Sequence, residues 1–256
     1  MHMDLEKHLN FARKTAHAAG QLTLAYYQKE LQPDIKADDS PVTQADRESE
    51  SLIRSAIEEQ YPGCAILGEE YGNSGESADF RWIIDPIDGT QSFIHGVPLY
   101  SILIGLEIEG RVEVGAAYFP ALGEMISAAS GLGCWWNDRQ TRVSDVNLLE
   151  RAVVAYTDIG NFYKIGREEV IQRLLRRAWY RAGWSDAYGY MLVASGRAEV
   201  MLDPMMAVWD CAPFPPILRE AGGYFGDWEG SETIYAERSM ATSLALLPEV
   251  LAALGS

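Results

Sequence analysis

Near the start of the chain, apolar residues fall at Leu5, Leu9, Ala12, Ala16, Ala19, Leu22 and Tyr26. Steps of three and four residues put them on one face, so the spacing predicts an amphipathic helix over 5–27, ended by Pro33. Ser40-Pro41 reads as the opening of a loop. Thr43-Gln-Ala-Asp46 then leads into a second helical pattern through Leu52, Ile53, Ala56 and Ile57, which Pro62-Gly63 stops. After that the period shortens. Residues 64–67 and 81–84 are brief apolar runs followed by acids, and 101–106 and 112–119 read as strands joined by a Glu109-Gly110 turn. Residues 125–129 continue the sheet to a turn at Gly131 and Gly133. The remainder mixes both periods: a strand at 153–156, helices over 168–178 and 186–195, and a short strand at 199–202. A further helix precedes Ala221-Gly222-Gly223, and 248–254 closes the chain. Helices alternating with a substantial antiparallel sheet predict an α+β or α/β layered sandwich of helix layers and β-sheets. A division near residue 145, without a flexible linker, gives an N-terminal subdomain 1–145 and a C-terminal subdomain 146–256.

Composition narrows the function. A chain of 256 residues that is 48% hydrophobic is large enough for one big domain or two packed halves, and global disorder is excluded. With 21 basic and 37 acidic side chains the formal net charge is −16, which argues against a nucleic-acid binder. Cys64, Cys134 and Cys211 show no CxxC spacing, so a disulfide framework or thiolate zinc site is not expected and a reducing compartment fits. The start lacks an apolar signal region, and no apolar run reaches the roughly 18 residues that a membrane helix needs. These features predict a cytoplasmic protein without a membrane partner. Nothing rests on the opening Met1-His2-Met3. His2, His8, His17 and His95 show no pairing, which disfavours a histidine metal site, and His95 reads as a satisfied loop residue.

The chemistry concentrates in Trp82-Ile-Ile-Asp85-Pro-Ile-Asp88-Gly-Thr90. An apolar strand delivers Asp85 to its end, Pro86 stiffens the turn, and Asp88 follows. Gly89 permits a tight path to Thr90, where a helix can begin. Carboxylates beside free backbone N–H groups attract cations and a phosphate respectively. Taken alone, the DxxD spacing reads more simply as a capping loop with surface aspartates. Leu67-Gly68-Glu69-Glu70 and Val208-Trp209-Asp210 repeat the theme of an acid after an apolar stretch, and hard oxygen ligands from three segments suit Mg²⁺. There is no GxxxxGK[ST] phosphate loop and no GxSxG elbow, and Gly131-Leu-Gly133 reads as a hairpin turn.

Val42-Thr43-Gln-Ala-Asp46, Gly68-Glu69-Glu70, Asp85-Pro-Ile-Asp88-Gly-Thr90, Trp209-Asp210 and Glu220-Ala-Gly-Gly223 occur in an order that resembles the inositol monophosphatase family. The resemblance implies a Mg²⁺-dependent, lithium-sensitive phosphomonoesterase with two or three ions per active site, acting by metal-activated water, and a homodimer. It implies metal ligation by Glu69, Asp85, Asp88, Asp210 and the carbonyl of Ile87. Asp46 would hydrogen-bond Thr90, while Thr90 and Glu69 would orient the attacking water. Gly89 and Thr90 would hold the phosphoryl oxygens, with Asp88, Asp186, Asp203 and Asp210 also facing the substrate. Lys36, near the family's active-site loop, reads as a solvated surface lysine. The Asp210 helix departs from the family in carrying Pro213, Pro215 and Pro216; a late or distorted helix start is expected, with Asp210 still at the metals.

Two features point to a substrate. Ser92-Phe-Ile and Gly96-Val-Pro-Leu99 resemble the histidinol-phosphatase branch, as does an acid at Asp186, although Ser185 and Ala187 differ from that branch's pattern. A carboxylate at 186 suits the ammonium of L-histidinol phosphate; the plainer reading of Asp186 is a helix cap, and Asp203 before Pro204 also reads as a turn residue. Tyr188 and Tyr190 have the spacing of core aromatics or of a platform for an imidazole. The competing readings are inositol 1-phosphate or another small sugar or nucleotide phosphate and, from another class, a non-catalytic cation-binding or scaffolding protein. Gln91 replaces the lysine of the nucleotide phosphatases. Trp135-Trp136 reads equally as buried aromatics or as part of a dimer interface.

Overall fold

The structure is a computed structural model that describes residues 4–29, 33–36, 41–76, 80–183 and 185–255. Met1, His2, Met3 and Ser40, named above, lie outside those residues. Helix α1 (Leu5–Leu24) starts at Asp4, whose carboxylate accepts the Lys7 N–H at 3.1 Å. It ends short of Pro33, because Tyr26 and Tyr27 leave the helix in a turn closed on Thr23. The segment read as a loop at Pro41 instead forms a two-stranded antiparallel ribbon, β1 (Asp34–Ile35) with β2 (Pro41–Val42). Helix α2 (Gln44–Gln60) follows, capped by Thr43.

The first sheet is built from β3 (Ala65–Gly68), β4 (Gly72–Ser74) and β5 (Phe80–Asp88) and, after the five-residue helix α3 (Thr90–Ile94), from β6 (Ser101–Ile108) and β7 (Arg111–Phe119), then β8 (Glu124–Ala129), β9 (Cys134–Trp136) and β10 (Arg139–Gln140). Its order is β10-β9-β8-β7-β6-β5-β3-β4; β3 runs parallel to β5 and the other neighbours are antiparallel. The β6–β7 hairpin turns at Glu109 and Gly110 with φ of 49° and 79°, the pair of positive φ values that a tight hairpin demands.

The second half supplies β11 (Val153–Tyr156), α4 (Ile159–Lys164), α5 (Glu168–Arg177), β12 (Tyr180–Ala182), α6 (Asp186–Ala194) and β13 (Val200–Asp203). Next come α7 (Val208–Cys211), α8 (Phe214–Glu220), β14 (Gly223–Gly226), β15 (Ser239–Ser243) and α9 (Leu247–Gly255). The second sheet runs β12-β11-β13-β15-β14.

Alternation along the strands explains the layering. Ile84, Ile102 and Ile104 pack with Leu9, Ala16 and Ile53 of α1 and α2, whereas Ile83 and Leu103 face α6 and α8. The same middle core takes in Ala155, Met201 and Ala241 of the second sheet. That sheet's other face, with Val154, Val200 and Met240, packs on Phe162, Leu174 and Val250. The result is five alternating layers, helix, sheet, helix, sheet, helix, in which both sheets are covered on both faces.

The prolines after Asp210 break the helix. The chain leaves α7 at Ala212 and restarts at α8, which places Pro215 and Pro216 in its first turn, where no N–H is required. Only a glycine opposite permits this path: a Cβ on Gly115 of β7 would lie 2.0 Å from the Pro213 carbonyl oxygen.

Candidate active site

Strand β5 ends in a bulge. Asp85 pairs with Leu103 and Asp88 with Ser101, so β5 has one more residue than β6 between the two pairs. Pro86, which lacks a ladder donor, sits at that irregularity, and its carbonyl accepts the Ser49 hydroxyl of α2 at 3.0 Å. The bulge turns Asp85 and Asp88 toward one cleft. Asp85 Oδ1 accepts the Ile87 N–H at 3.0 Å, and Asp88 Oδ2 accepts from the Ser101 hydroxyl and the Ala187 N–H, both at 3.1 Å. Asp210, in the one-turn helix α7, accepts the Ala207 N–H at 2.8 Å. Oxygens of Asp85, Asp88 and Asp210 lie within 4.8 Å of one another, and these three form the acidic cluster among the described residues.

Three carboxylates this close repel each other. Burial, followed by the charges of Glu69, Asp88 and Asp210, raises the Asp85 pKa well above the carboxylate range; burial and the charges of Asp186 and Asp210 do the same to Asp88. Burial, with the Glu69 charge adding to it, pushes Asp210 up to about 7 despite the Ala207 hydrogen bond. Such a trio is stabilised by a shared cation. All its donors are hard oxygens, the set that suits Mg²⁺.

Gly89 follows the bulge at φ 73°, starting α3. Thr90 gives its hydroxyl to the Ile87 carbonyl at 3.2 Å. Asp46 does not engage Thr90. Its Oδ2 accepts the N–H and hydroxyl of Thr43 at 2.8 and 2.5 Å, closing the cap of α2, and its Oδ1 is buried without a hydrogen-bond partner among the described residues. The expected Asp46–Thr90 contact is therefore corrected: the cap claims the carboxylate first. Burial pushes Asp46 up to about 6 despite those bonds.

Lys36 is also corrected. Far from being a solvated lysine, it sits between Glu69 and Glu70, with Nζ 2.7 and 2.5 Å from their oxygens. Burial alone would lower its pKa, yet the two acids raise it above the usual lysine value. Burial pushes Glu70 up to about 7 against the Lys36 contact. Glu69 thus lies on the same cleft as the three aspartates but outside their cluster, paired to Lys36.

From the other side, Asp186 opens α6 at φ 37°, an uncommon backbone for a residue with a Cβ. It stands one residue inside the cap position, which Ser185 occupies. Its Oδ2 accepts the Ser92 hydroxyl at 2.9 Å and would touch a Cβ on Gly89 at the same distance, so the Gly89 backbone and this carboxylate are adjacent. Asp203 ends β13, accepts the Met205 N–H at 3.1 Å, and is raised well above the usual range by burial. Tyr190 is buried, stacked on Phe214, and its edge reaches the cleft; Tyr188 packs on Phe119 away from it, which removes Tyr188 as a platform. His95 donates its Nδ1–H to the Gln91 carbonyl at 2.8 Å.

A cleft of about 990 Å³ gathers these groups. Of the site residues named from the sequence it includes Glu69, Asp85, Ile87, Asp88, Gly89, Thr90, Asp186, Asp203 and Asp210, and it leaves out Asp46. Sequence reasoning missed Ser49 and Ser101 as partners of the bulge and its acids, Ser92 as the partner of Asp186, and Thr157 on the cleft wall. A lone hydroxyl carries no spacing signal. The arrangement offers a cation site beside the backbone N–H groups of a helix start, which is the chemistry of a phosphate ester.

The chain is similar to known proteins over nearly its whole length. A sequence model of the Inositol monophosphatase family matches residues 4–255. The chain is 42% identical over 250 residues to a histidinol-phosphatase of Chlorobaculum parvum, covering 97% of this chain and 96% of that protein. It is 34% identical to a histidinol-phosphatase of Mycobacterium tuberculosis, covering 97% and 98%. Among solved structures, the extragenic suppressor protein suhB of Bartonella henselae superposes with a TM-score of 0.89 at 29% identity, covering 96% of this chain and 98% of that one.

Proposed function

The chain belongs to the inositol monophosphatase family, and from that membership we propose that this phosphoric monoester hydrolase acts on L-histidinol phosphate, releasing L-histidinol and phosphate in histidine synthesis. The observation that carries the choice of ester is Asp186, a carboxylate on the cleft with a hydroxyl partner, set against the Gly89 backbone. An ammonium three bonds from the ester oxygen finds a counter-charge there, whereas the uncharged ring of inositol 1-phosphate offers nothing for that charge to hold. The similarity to two histidinol-phosphatases supports the same reading.

In this proposal Glu69, Asp85, Asp88, Asp210 and the Ile87 carbonyl hold two or three Mg²⁺ ions. When bound, these ions neutralise phosphoryl oxygens, lower the pKa of water and stabilise the departing alkoxide. Glu69 and Thr90 orient the attacking water. The N–H groups of Gly89 and Thr90 hold phosphoryl oxygens, Asp186 holds the ammonium, and Asp203 faces the remainder of the substrate. The proposal includes a homodimer, cytoplasmic placement, and subdomains dividing near residue 145, with Asp85 and Asp88 on one side and Asp186, Asp203 and Asp210 on the other. No helix among the described residues is long and apolar enough to cross a membrane.

A phosphate-release panel with Mg²⁺, comparing histidinol phosphate, inositol 1-phosphate and adenosine 3′,5′-bisphosphate, tests the reading. The highest kcat/KM is expected for histidinol phosphate. Preference for another ester refutes the substrate, and cation binding without any phosphate release favours the non-catalytic alternative.

A further inference from the structure

Glu69 reaches the cleft from the turn between β3 and β4, and that turn is held from behind. Glu50, on α2, is fully buried. Its Oε2 accepts the Glu70 N–H at 2.7 Å and its Oε1 accepts the Tyr71 N–H at 3.2 Å. Arg54, one helical turn on, donates from Nε to Glu50 Oε1 at 2.7 Å. The rest of its guanidinium continues to the far side of the turn, with Nη1 2.8 Å from the Ser74 hydroxyl and Nη2 on the Gly72 carbonyl. Gly68 explains how the carboxylate fits: a Cβ there would lie 2.2 Å from Glu50 Oε1 and 2.8 Å from Arg54 Nη2. The Glu50 carboxylate occupies the space that a side chain at 68 would fill.

A buried carboxylate with one cationic partner and two backbone donors is costly to disturb, and here both backbone donors belong to the turn carrying Glu69. Ordinary stapling of a helix to a sheet needs apolar contact, which α2 already makes through Ile53 and Ile57. We infer that Glu50, oriented by Arg54, is a positioning residue that fixes the β3–β4 turn and thereby sets where the Glu69 carboxylate stands relative to the Asp85, Asp88 and Asp210 cluster. The inference rests on the reading of Glu69 as a magnesium ligand given above.

Calorimetric titration of Mg²⁺ into the metal-free full-length protein tests it, alongside activity. Removing an outer partner of a ligand weakens metal affinity by about 10–100-fold, and Glu50→Gln is expected at about tenfold, with KM for the ester at saturating Mg²⁺ unchanged. Should that variant not fold, Arg54→Lys, which keeps the charge but loses the fork to Ser74 and Gly72, carries the same expectation. Ile171→Val, in the remote core of α5, controls for general destabilisation and leaves Mg²⁺ affinity at the wild-type value. Folded turn variants that bind Mg²⁺ as tightly as the unsubstituted protein overturn the inference, as does an equal loss in Ile171→Val. If the unsubstituted protein takes up no Mg²⁺, the functional reading falls with it; if only the variants are unaffected, the functional reading stands.

Discussion

Ser92 donates its hydroxyl to Asp186 across 2.9 Å, so the helix after the β5 bulge and the helix that opens at 186 grip one carboxylate between them. Replacing Asp186 by Asn keeps an acceptor for Ser92 and deletes the charge. A hydrogen bond to a charged group contributes about 1.5–3 kcal/mol, so kcat/KM for histidinol phosphate is expected to fall by roughly ten- to a hundredfold. Hydrolysis of inositol 1-phosphate, which has no ammonium, is expected to stay level or rise. Steady-state kinetics on both esters checks this, and an equal loss on both removes Asp186 from substrate selection.

Asp88→Asn is expected to abolish turnover, by at least about a hundredfold in kcat/KM, while the circular dichroism spectrum is unchanged. The amide retains an acceptor for Ser101 and Ala187 and relieves one charge from the repelling trio. In the absence of Mg²⁺ the variant's Tm should therefore equal or exceed that of the parent protein.

Stability without metal should fall as pH rises. Burial places Asp46 at about 6, Glu70 at about 7 and Asp210 at about 7, each above its value in an unfolded chain. A carboxyl with a raised folded pKa binds its proton more tightly in the native state, so its stabilising effect is complete below about pH 4 and is lost as pH climbs through 6 to 7. Melting curves of the chelator-treated protein between pH 5 and pH 8 are expected to show Tm dropping by several degrees, with saturating Mg²⁺ flattening the slope. A Tm that rises with pH across this window contradicts the assignment.

Gly89→Ala should harm both stability and catalysis. Holding a residue with a Cβ at φ 73° costs about 1–2 kcal/mol, and the new methyl would stand 2.9 Å from Asp186 Oδ2. For a chain of this size the Tm is expected to fall by roughly 2–8 °C, with a loss in kcat/KM that exceeds what the lowered stability explains at 25 °C.

Elements with a clean period were legible in the sequence. The β6–β7 hairpin, strand β11 and helices α5 and α6 lie within two residues of the spacing-based reading, since each has a continuous apolar face and a marked turn. The interrupted start of α8 followed from its prolines. Strands β1, β2, β12 and β14 are two to four residues long and owe their existence to neighbours far along the chain, so no local alternation announced them. The acids of the cleft were readable because Asp85 and Asp88 share one strand end. The partners of Lys36, Asp46 and Glu50 were not, because burial chose among acceptors that look alike in sequence: Asp46 went to its own cap, and Lys36 to two glutamates across the fold. Glu50 and Arg54 have the i, i+4 spacing of a surface ion pair, and only the turn lying over them makes that pair an interior one.

Two of the three clustered acids stand at the end of β5 and the third on α7, beyond the whole first sheet and most of the second. The acidic cluster is therefore complete only once α7 has packed against the end of β5, which couples the geometry of the cleft to the docking of the two halves of the chain. A fragment that stops before Asp210 keeps two of the three clustered carboxylates and lacks the third.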